Sequence, residues 1–103
     1  MTLDEICENV RTLTARHGWD QNDVANRMLF LMSEVGELAT SVIAVERAAA
    51  VASPADLEAL TVAAGFEIYD AIWNLCALAN ALGVDLTAAA QEKAAINQDR
   101  SWY

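Results

Sequence analysis

Four carboxylates, arranged as two pairs, are the residues of this sequence whose types and spacing point most directly to chemistry. Glu34 and Glu37 stand three apart in the stretch MSEVGELAT, and Glu67 and Asp70 stand three apart in FEIYDAIWN. Residues three apart share one face of an α-helix, so each pair would present two carboxylates together. Their neighbours are mostly apolar, and carboxylates resist burial in apolar surroundings. Their charge must therefore be compensated.

The distance of each pair from a turn signal predicts that the two pairs meet. Ser53-Pro54 lies about 16 residues from each pair, or roughly 25 Å along a helix. In an antiparallel hairpin the four carboxylates come level and repel one another unless cations neutralise them. Oxygen ligands without histidine suit Mg²⁺, with Mn²⁺ as a second candidate. The alternative is four solvated acids on exposed faces. A di-iron centre is disfavoured because it needs Glu-x-x-His from two helices, and His17 is the only histidine.

A basic cluster near the carboxyl end could contribute a second part of a site. Lys93, the only lysine, is followed by Asn97 at i+4 and Arg100 at i+7, so all three share one helix face. Two cations and an amide in line suit the oxygens of a phosphate. The alternative is that these cations only complement the carboxyl end of a helix.

Four helices are predicted to position these groups, which makes the fold class all-α: a four-helix bundle with two long antiparallel helices. The first begins at a capping box of Thr2 and Glu5 and ends near His17, where Gly18 is a left-handed C-cap and the histidine complements the helix dipole. The other bounds follow from capping residues: Asp20 or Asn22 to about Ala50, Ser53 to about Leu82, and Asp85 to about Asp99.

The composition places limits on the class of protein. The 103 residues are 55% hydrophobic with few glycines or prolines, which favours one helical domain over residues 1–103 and indicates burial between subunits. A net charge of −9 disfavours nucleic acid and an anionic membrane as partners. Charges interrupt the apolar runs and the first residues do not resemble a signal peptide, so neither a membrane helix nor secretion is expected. Cys7 and Cys76 read as buried thiols of a reducing, cytoplasmic compartment.

Together these motifs resemble the MazG-like all-α nucleoside triphosphate pyrophosphohydrolases. The stretches EVGEL, EIYDAIW and KAAINQDRSW carry the resemblance, with ARHGWD before the second helix, and it covers about residues 10 to 102. The spacer between the acidic pairs is at the long end of the family's range.

The resemblance implies Mg²⁺-dependent cleavage between the α and β phosphates of (deoxy)nucleoside triphosphates, in nucleotide-pool house-cleaning. It implies that Glu34, Glu37, Glu67 and Asp70 hold the metal and activate water. It also implies homodimers or homotetramers, and it gives the basic cluster, Lys93, Asn97 and Arg100, a phosphate-binding role.

Two readings remain beside this one: a phosphoribosyl-ATP pyrophosphatase-like enzyme, and a non-catalytic helical interaction protein on the same scaffold. A base pocket could be lined by Trp19, Asn26, Phe30 and Trp102, although such aromatic residues more often belong to a core. Gly36 would let a neighbouring helix approach beside the ligands, which would offset its cost of about 1 kcal/mol in a helix.

Overall fold

A computed structural model describes residues 1–21 and 23–100 of the chain. These residues form four α-helices and one short 3-10 turn, and no strand occurs among them. The prediction of an all-α fold is therefore confirmed. The elements in chain order are α1 (Leu3–His17), the 3-10 turn (Trp19–Gln21), α2 (Val24–Ala48), α3 (Pro54–Leu82) and α4 (Leu86–Asp99).

The helix ends are fixed by capping side chains and by glycines that can be recognised in the sequence. Thr2 and Glu5 form the predicted capping box, and the Ser53 hydroxyl accepts a hydrogen bond from the main-chain N–H of Asp56. Gly18 and Gly83 end α1 and α3 in the left-handed conformation, with φ of 71° and 70°. An L side chain at either position would be strained, so glycine is needed there.

The start of α2 differs from the prediction. Asp23 is its N-cap, with a carboxylate oxygen 2.8 Å from the main-chain nitrogen of Asn26. Asp20 lies in the 3-10 turn instead, and Asn22 lies outside the described residues. The helix ends at Ala48, close to the predicted end near Ala50. Several capping-type residues follow one another here, and composition alone does not rank them.

The two long helices, α2 and α3, form the main packing unit of the chain. They are joined by a short turn and pack along one another as an antiparallel hairpin, as predicted. The α1 helix packs on α3 over a small core of Val10, Cys76 and Ala77, with Cys7 against it. Both cysteines are free thiols. The α4 helix packs chiefly on α1, where Leu86 reaches the same core.

Polar contacts fasten α1 to its neighbours. The Asn80 side chain on α3 donates to the Cys7 carbonyl at 3.1 Å and accepts from the Arg11 guanidinium at 3.0 Å. The Thr87 hydroxyl on α4 donates to the Asp4 carboxylate at 2.6 Å. These bonds hold α1 between α3 and α4 and leave the outer faces of the hairpin uncovered.

The chain exposes far more surface than a compact protein of its size. Its accessible area is 7287 Å², against about 5,700 Å² for a compact monomer of this mass. Its radius of gyration is 16.7 Å, against about 13 Å for a compact domain of 100 residues. Leu29 on α2 and Phe66 on α3 are 66% and 68% exposed. The hairpin therefore carries a broad apolar surface.

That apolar surface also gives α2 and α3 the length and composition of membrane-spanning helices. The charged residues of α2 and α3 are too few to exclude a membrane span by length and composition, contrary to the prediction. However, the two acidic pairs lie at the middle of their helices, so insertion would place four carboxylates near the bilayer centre. Each would cost about 2.5 to 3.5 kcal/mol on insertion scales. The charge pattern therefore disfavours a membrane hairpin.

The role predicted for Gly36, a close approach of a neighbouring helix, is wrong within this chain. A Cβ atom placed on Gly36 would meet no atom of the described residues within 4 Å, so no element formed by residues 1–21 and 23–100 approaches closely there. The same is true of Gly65 on α3. Neither glycine is required by packing inside one chain.

Candidate functional site

Three carboxylates meet where α2 and α3 face each other. Glu34, Glu67 and Asp70 each offer an oxygen, and these oxygens all lie within 4.8 Å of one another. The register deduced from the turn thus brings Glu34 level with the pair on α3. Glu37 lies outside this group of three but acts on Glu34 through its charge. We call Glu34, Glu37, Glu67 and Asp70 the acidic cluster.

The environment of the acidic cluster works against its negative charge. Burial raises the pKa of the Glu34 carboxyl, and the charges of Glu37, Asp70 and Glu67 raise it further. One oxygen of Glu34 and one of Glu67, the Oε2 atoms, are buried without a hydrogen-bond partner among the described residues. A buried carboxylate oxygen without a partner is costly. The cluster therefore presents oxygen atoms that a donor or a cation would satisfy.

The donor set fits a hard divalent cation. All four members offer carboxylate oxygens, which Mg²⁺ and Mn²⁺ prefer, and neither a thiol nor an imidazole belongs to the group. The residues present therefore fit the predicted metal, and Glu34, Glu67 and Asp70 are the residues that would hold it.

A cavity of about 520 Å³ opens beside the acidic cluster. Glu34 and Asp70 belong to both the cluster and the cavity wall, so the two are continuous. The remaining wall is formed by apolar, aromatic and polar side chains: Leu13, Trp19, Arg27, Phe30, Ser33, Trp73 and Asn74. A cavity of this size, with a few polar groups in an apolar wall, is typical of a small-molecule site.

Aromatic rings shape one side of the cavity. The rings of Trp19 and Trp73 are 6.4 Å apart and nearly perpendicular, at 75°. The His17 ring stacks on Trp19 with 4.6 Å between centroids. Edge-to-face and stacked rings at such distances attract one another. His17 thus supports an aromatic wall from the last turn of α1.

Arg27 lies in this wall and was not predicted as a site residue. Its side chain is 5% exposed, and its Nη2 donates a hydrogen bond to the main-chain oxygen of Trp19. No carboxylate pairs with it among the residues that the structure describes. The sequence carried a signal, because Arg27, Phe30 and Glu34 follow the i, i+3, i+7 spacing of one helix face.

The predicted base-binding residues divide into three groups. Trp19 and Phe30 line the cavity, as expected. Asn26 is exposed near the start of α2 and is not among the lining residues, while its main-chain N–H serves the cap. Trp102 lies outside the described residues. Trp73 and Asn74, on the helix face of Asp70, line the cavity in addition.

The predicted phosphate-binding residues lie on or just after α4 and do not line this cavity. Lys93 and Arg100 are exposed, and Arg100 is the C-cap residue of α4. Asn97 is half-buried, and its Oδ1 is buried without a hydrogen-bond partner in the described part of the chain. The single chain therefore assembles the acidic cluster and the cavity but does not add the basic cluster to their walls.

Comparisons with protein families, with curated proteins and with solved structures found no match. The resemblance to the MazG-like pyrophosphohydrolases therefore rests on the residues of this sequence, and it stays a prediction.

Proposed function

We propose that the protein is a Mg²⁺-dependent nucleoside triphosphate pyrophosphohydrolase. The observation that carries the proposal is the pair of buried, unpartnered carboxylate oxygens of Glu34 and Glu67, beside Asp70 and at the edge of an aromatic-walled cavity. Acids in this state call for a cation, and the cavity offers stacking surfaces for a base. A nucleotide would meet both requirements, with its phosphates on the cation at the acidic cluster and its base stacked on the aromatic wall.

In this proposal each group has a distinct task. Glu34, Glu67 and Asp70 would hold Mg²⁺, which when bound neutralises phosphate charge and polarises water. Glu37 lies beside this set and would accept a proton from the attacking water. Trp19 and Trp73 would hold the base by stacking. Cleavage between the α and β phosphates would release a nucleoside monophosphate and pyrophosphate.

The proposed role of the basic cluster depends on assembly of several chains. Because the chain exposes about 1,600 Å² more than a compact monomer, and obligate partners each lose about 1,000 to 2,500 Å², we propose a homodimer or homotetramer built on α2 and α3. In such an assembly Lys93, Asn97 and Arg100 would stabilise charge on the leaving pyrophosphate. Nucleotide-pool house-cleaning in the cytoplasm is the role consistent with this chemistry.

The proposal is tested with a panel of canonical and modified nucleoside triphosphates in the presence of Mg²⁺. Phosphorus NMR distinguishes monophosphate and pyrophosphate from diphosphate and inorganic phosphate. We expect the first pair of products from the wild type, loss of activity in Glu67→Gln with partial rescue by excess Mg²⁺, and wild-type rates in Glu58→Gln. Glu58 is a matched control because it is an exposed acid on the same helix.

Two other outcomes distinguish the remaining readings. Cleavage of phosphoribosyl-ATP with no turnover of simple nucleoside triphosphates would assign the related pyrophosphatase activity. The exposed apolar hairpin also suits a helical interaction protein. Absence of turnover on every substrate, with Mg²⁺ shown to bind, would favour that reading.

A further inference from the structure

Arg27 combines features that a purely structural arginine does not need. It is 5% exposed, it lines the cavity, and it donates one hydrogen bond, to the main-chain oxygen of Trp19. A guanidinium carries five N–H donors and no acceptor. Four of its five N–H groups are therefore without an acceptor in residues 1–21 and 23–100. In this described part of the chain none of these nitrogens is a buried atom without a partner, so they are accessible from the cavities that Arg27 lines and can donate to the acceptor atoms of a ligand.

Asn74, in the wall of the same cavity, supplies the opposite kind of group. Its Nδ2 donates to the main-chain oxygen of Asp70 at 2.9 Å, which fixes the orientation of the amide. The Oδ1 atom is left as an acceptor. The wall of the cavity therefore contains donors from Arg27 and an acceptor from Asn74, together with the rings of Trp19 and Trp73.

Nucleobases differ in which pattern they present to such a wall. A 6-oxopurine or a 4-oxopyrimidine presents a carbonyl acceptor next to a ring N–H donor, whereas adenine and cytosine present an amino donor next to a ring acceptor. Arginine is the usual partner of the oxygen and N7 of an oxopurine. The Arg27 donors match the oxo form and repel the amino form.

We propose that Arg27 selects the base, so that the site takes oxo-nucleobase triphosphates, such as those of guanine, hypoxanthine and uracil, in preference to those of adenine and cytosine. The proposal rests on the proposed function and deepens it. In it, Arg27 determines specificity and Asn74 accepts from the ring N–H. The rings of Trp19 and Trp73 tolerate any base, because every base has a face on which to stack.

Two matched substrate pairs test the selection in the wild-type protein. ITP and ATP differ in the group at position 6 and its neighbouring ring nitrogen, and UTP and CTP differ in the same way at position 4. With Mg²⁺, we expect kcat/KM to favour ITP over ATP by about 5- to 150-fold, the range for one good bidentate contact. For UTP over CTP we expect about 5-fold, the low end of that range, because uracil has no N7 to complete the bidentate contact. Ratios near one, or ratios that favour ATP and CTP, would overturn the proposal.

The variant Arg27→Met separates selection from a structural role. It keeps a long buried side chain and removes every donor, so both ratios should fall to near one. If Arg27 only supports Trp19, the loss would lower all four rates together and leave the ratios unchanged. Arg47→Met is the matched control, since Arg47 is an exposed arginine on the same helix; its ratios should equal those of the wild type.

Nucleoside binding without Mg²⁺ provides a readout that does not depend on hydrolysis. Inosine and adenosine are titrated against the tryptophan fluorescence of the wild type, because Trp19 and Trp73 lie in the cavity wall. Tighter binding of inosine, by about 5-fold or more, is expected. Should no triphosphate be cleaved while inosine still binds more tightly, the proposed function fails and the selection stands. Equal binding, or no binding of either nucleoside, refutes the selection.

Discussion

Replacing Glu34 by glutamine should stabilise the metal-free protein and remove most of its stabilisation by Mg²⁺. The oxygens of Glu34, Glu67 and Asp70 lie within 4.8 Å of one another. At that separation two unit charges repel by about 0.9 kcal/mol in a water-like medium and by about 3.5 kcal/mol at an effective dielectric constant of 20. The variant relieves two such repulsions. Because the cluster is only partly buried, the water-like value applies, which gives about 2 kcal/mol.

Thermal denaturation at a fixed protein concentration measures both effects. A gain of about 2 kcal/mol raises the Tm of a domain of this size by about 8 °C or more. The wild type should gain about 2.7 kcal/mol when Mg²⁺ is at 100 times its Kd, while Glu34→Gln gains much less. The order of the two melting temperatures therefore reverses on addition of Mg²⁺.

The exposed residue Glu46 on the same helix provides the control. Glu46→Gln should melt like the wild type with and without Mg²⁺. A metal-free Glu34→Gln protein that is less stable than the wild type, or one that Mg²⁺ stabilises as strongly as the wild type, would refute the picture of three carboxylates in mutual repulsion.

The pH dependence of the metal-free protein has a definite sign. Burial and its acidic neighbours raise the folded-state pKa of Glu34 above that of the unfolded chain. The unfolded chain then binds fewer protons than the folded one over this window, so stability falls as pH rises. We expect unfolding free energy to decrease above about pH 4.3, the ordinary glutamate pKa, and this decrease to be smaller in Glu34→Gln.

Three further predictions follow from other parts of the chain. Lys93→Ala should lower triphosphate turnover on the order of 10²-fold with an unchanged Tm. Wild-type rates at limiting and saturating substrate would instead show that the basic cluster only complements the carboxyl end of a helix. Burial and a hydrogen bond with Cys7 raise the pKa of the Cys76 thiol to about 12. Alkylation of Cys76 in the native protein should therefore be negligible at pH 8. Rapid labelling of Cys76, detected by mass spectrometry, would contradict this. Phe66→Asp should shift the light-scattering mass toward that of one chain. The control Val51→Asp, at a turn residue that is 85% exposed, should leave the mass unchanged. A monomeric wild type at micromolar concentration would contradict the proposed assembly.

The helical framework could be predicted because its signals are local. Ser53 and Pro54 mark a helix start whatever the rest of the chain does, and Gly18 and Gly83 mark ends that need a left-handed residue. The level of Glu34 with Glu67 then follows from counting along two straight helices. The N-cap of α2 could not be predicted in this way, since several neighbouring residues can all cap.

The cavity was harder to predict because it depends on contacts between elements. Arg27 appears in the sequence as one polar residue in an apolar helix. Its burial and its bond to the Trp19 carbonyl depend on contacts between elements and appear only in the fold. Trp73 appears as an apolar neighbour of the acids, yet it lines the cavity in edge-to-face contact with Trp19. The role predicted for Gly36 is wrong within one chain, because it assumes a neighbouring helix that the described residues do not place there.

The aromatic residues of the cavity wall are carried by elements of different kinds. Phe30 and Trp73 are carried by helices of 25 and 29 residues, whose collective motions take microseconds to milliseconds. Trp19 is carried by a three-residue turn, held by the stack with His17 and by the bond from Arg27. Segments of that kind rearrange in nanoseconds to microseconds. The turn that carries Trp19 is therefore expected to adjust faster than the hairpin that carries Phe30 and Trp73.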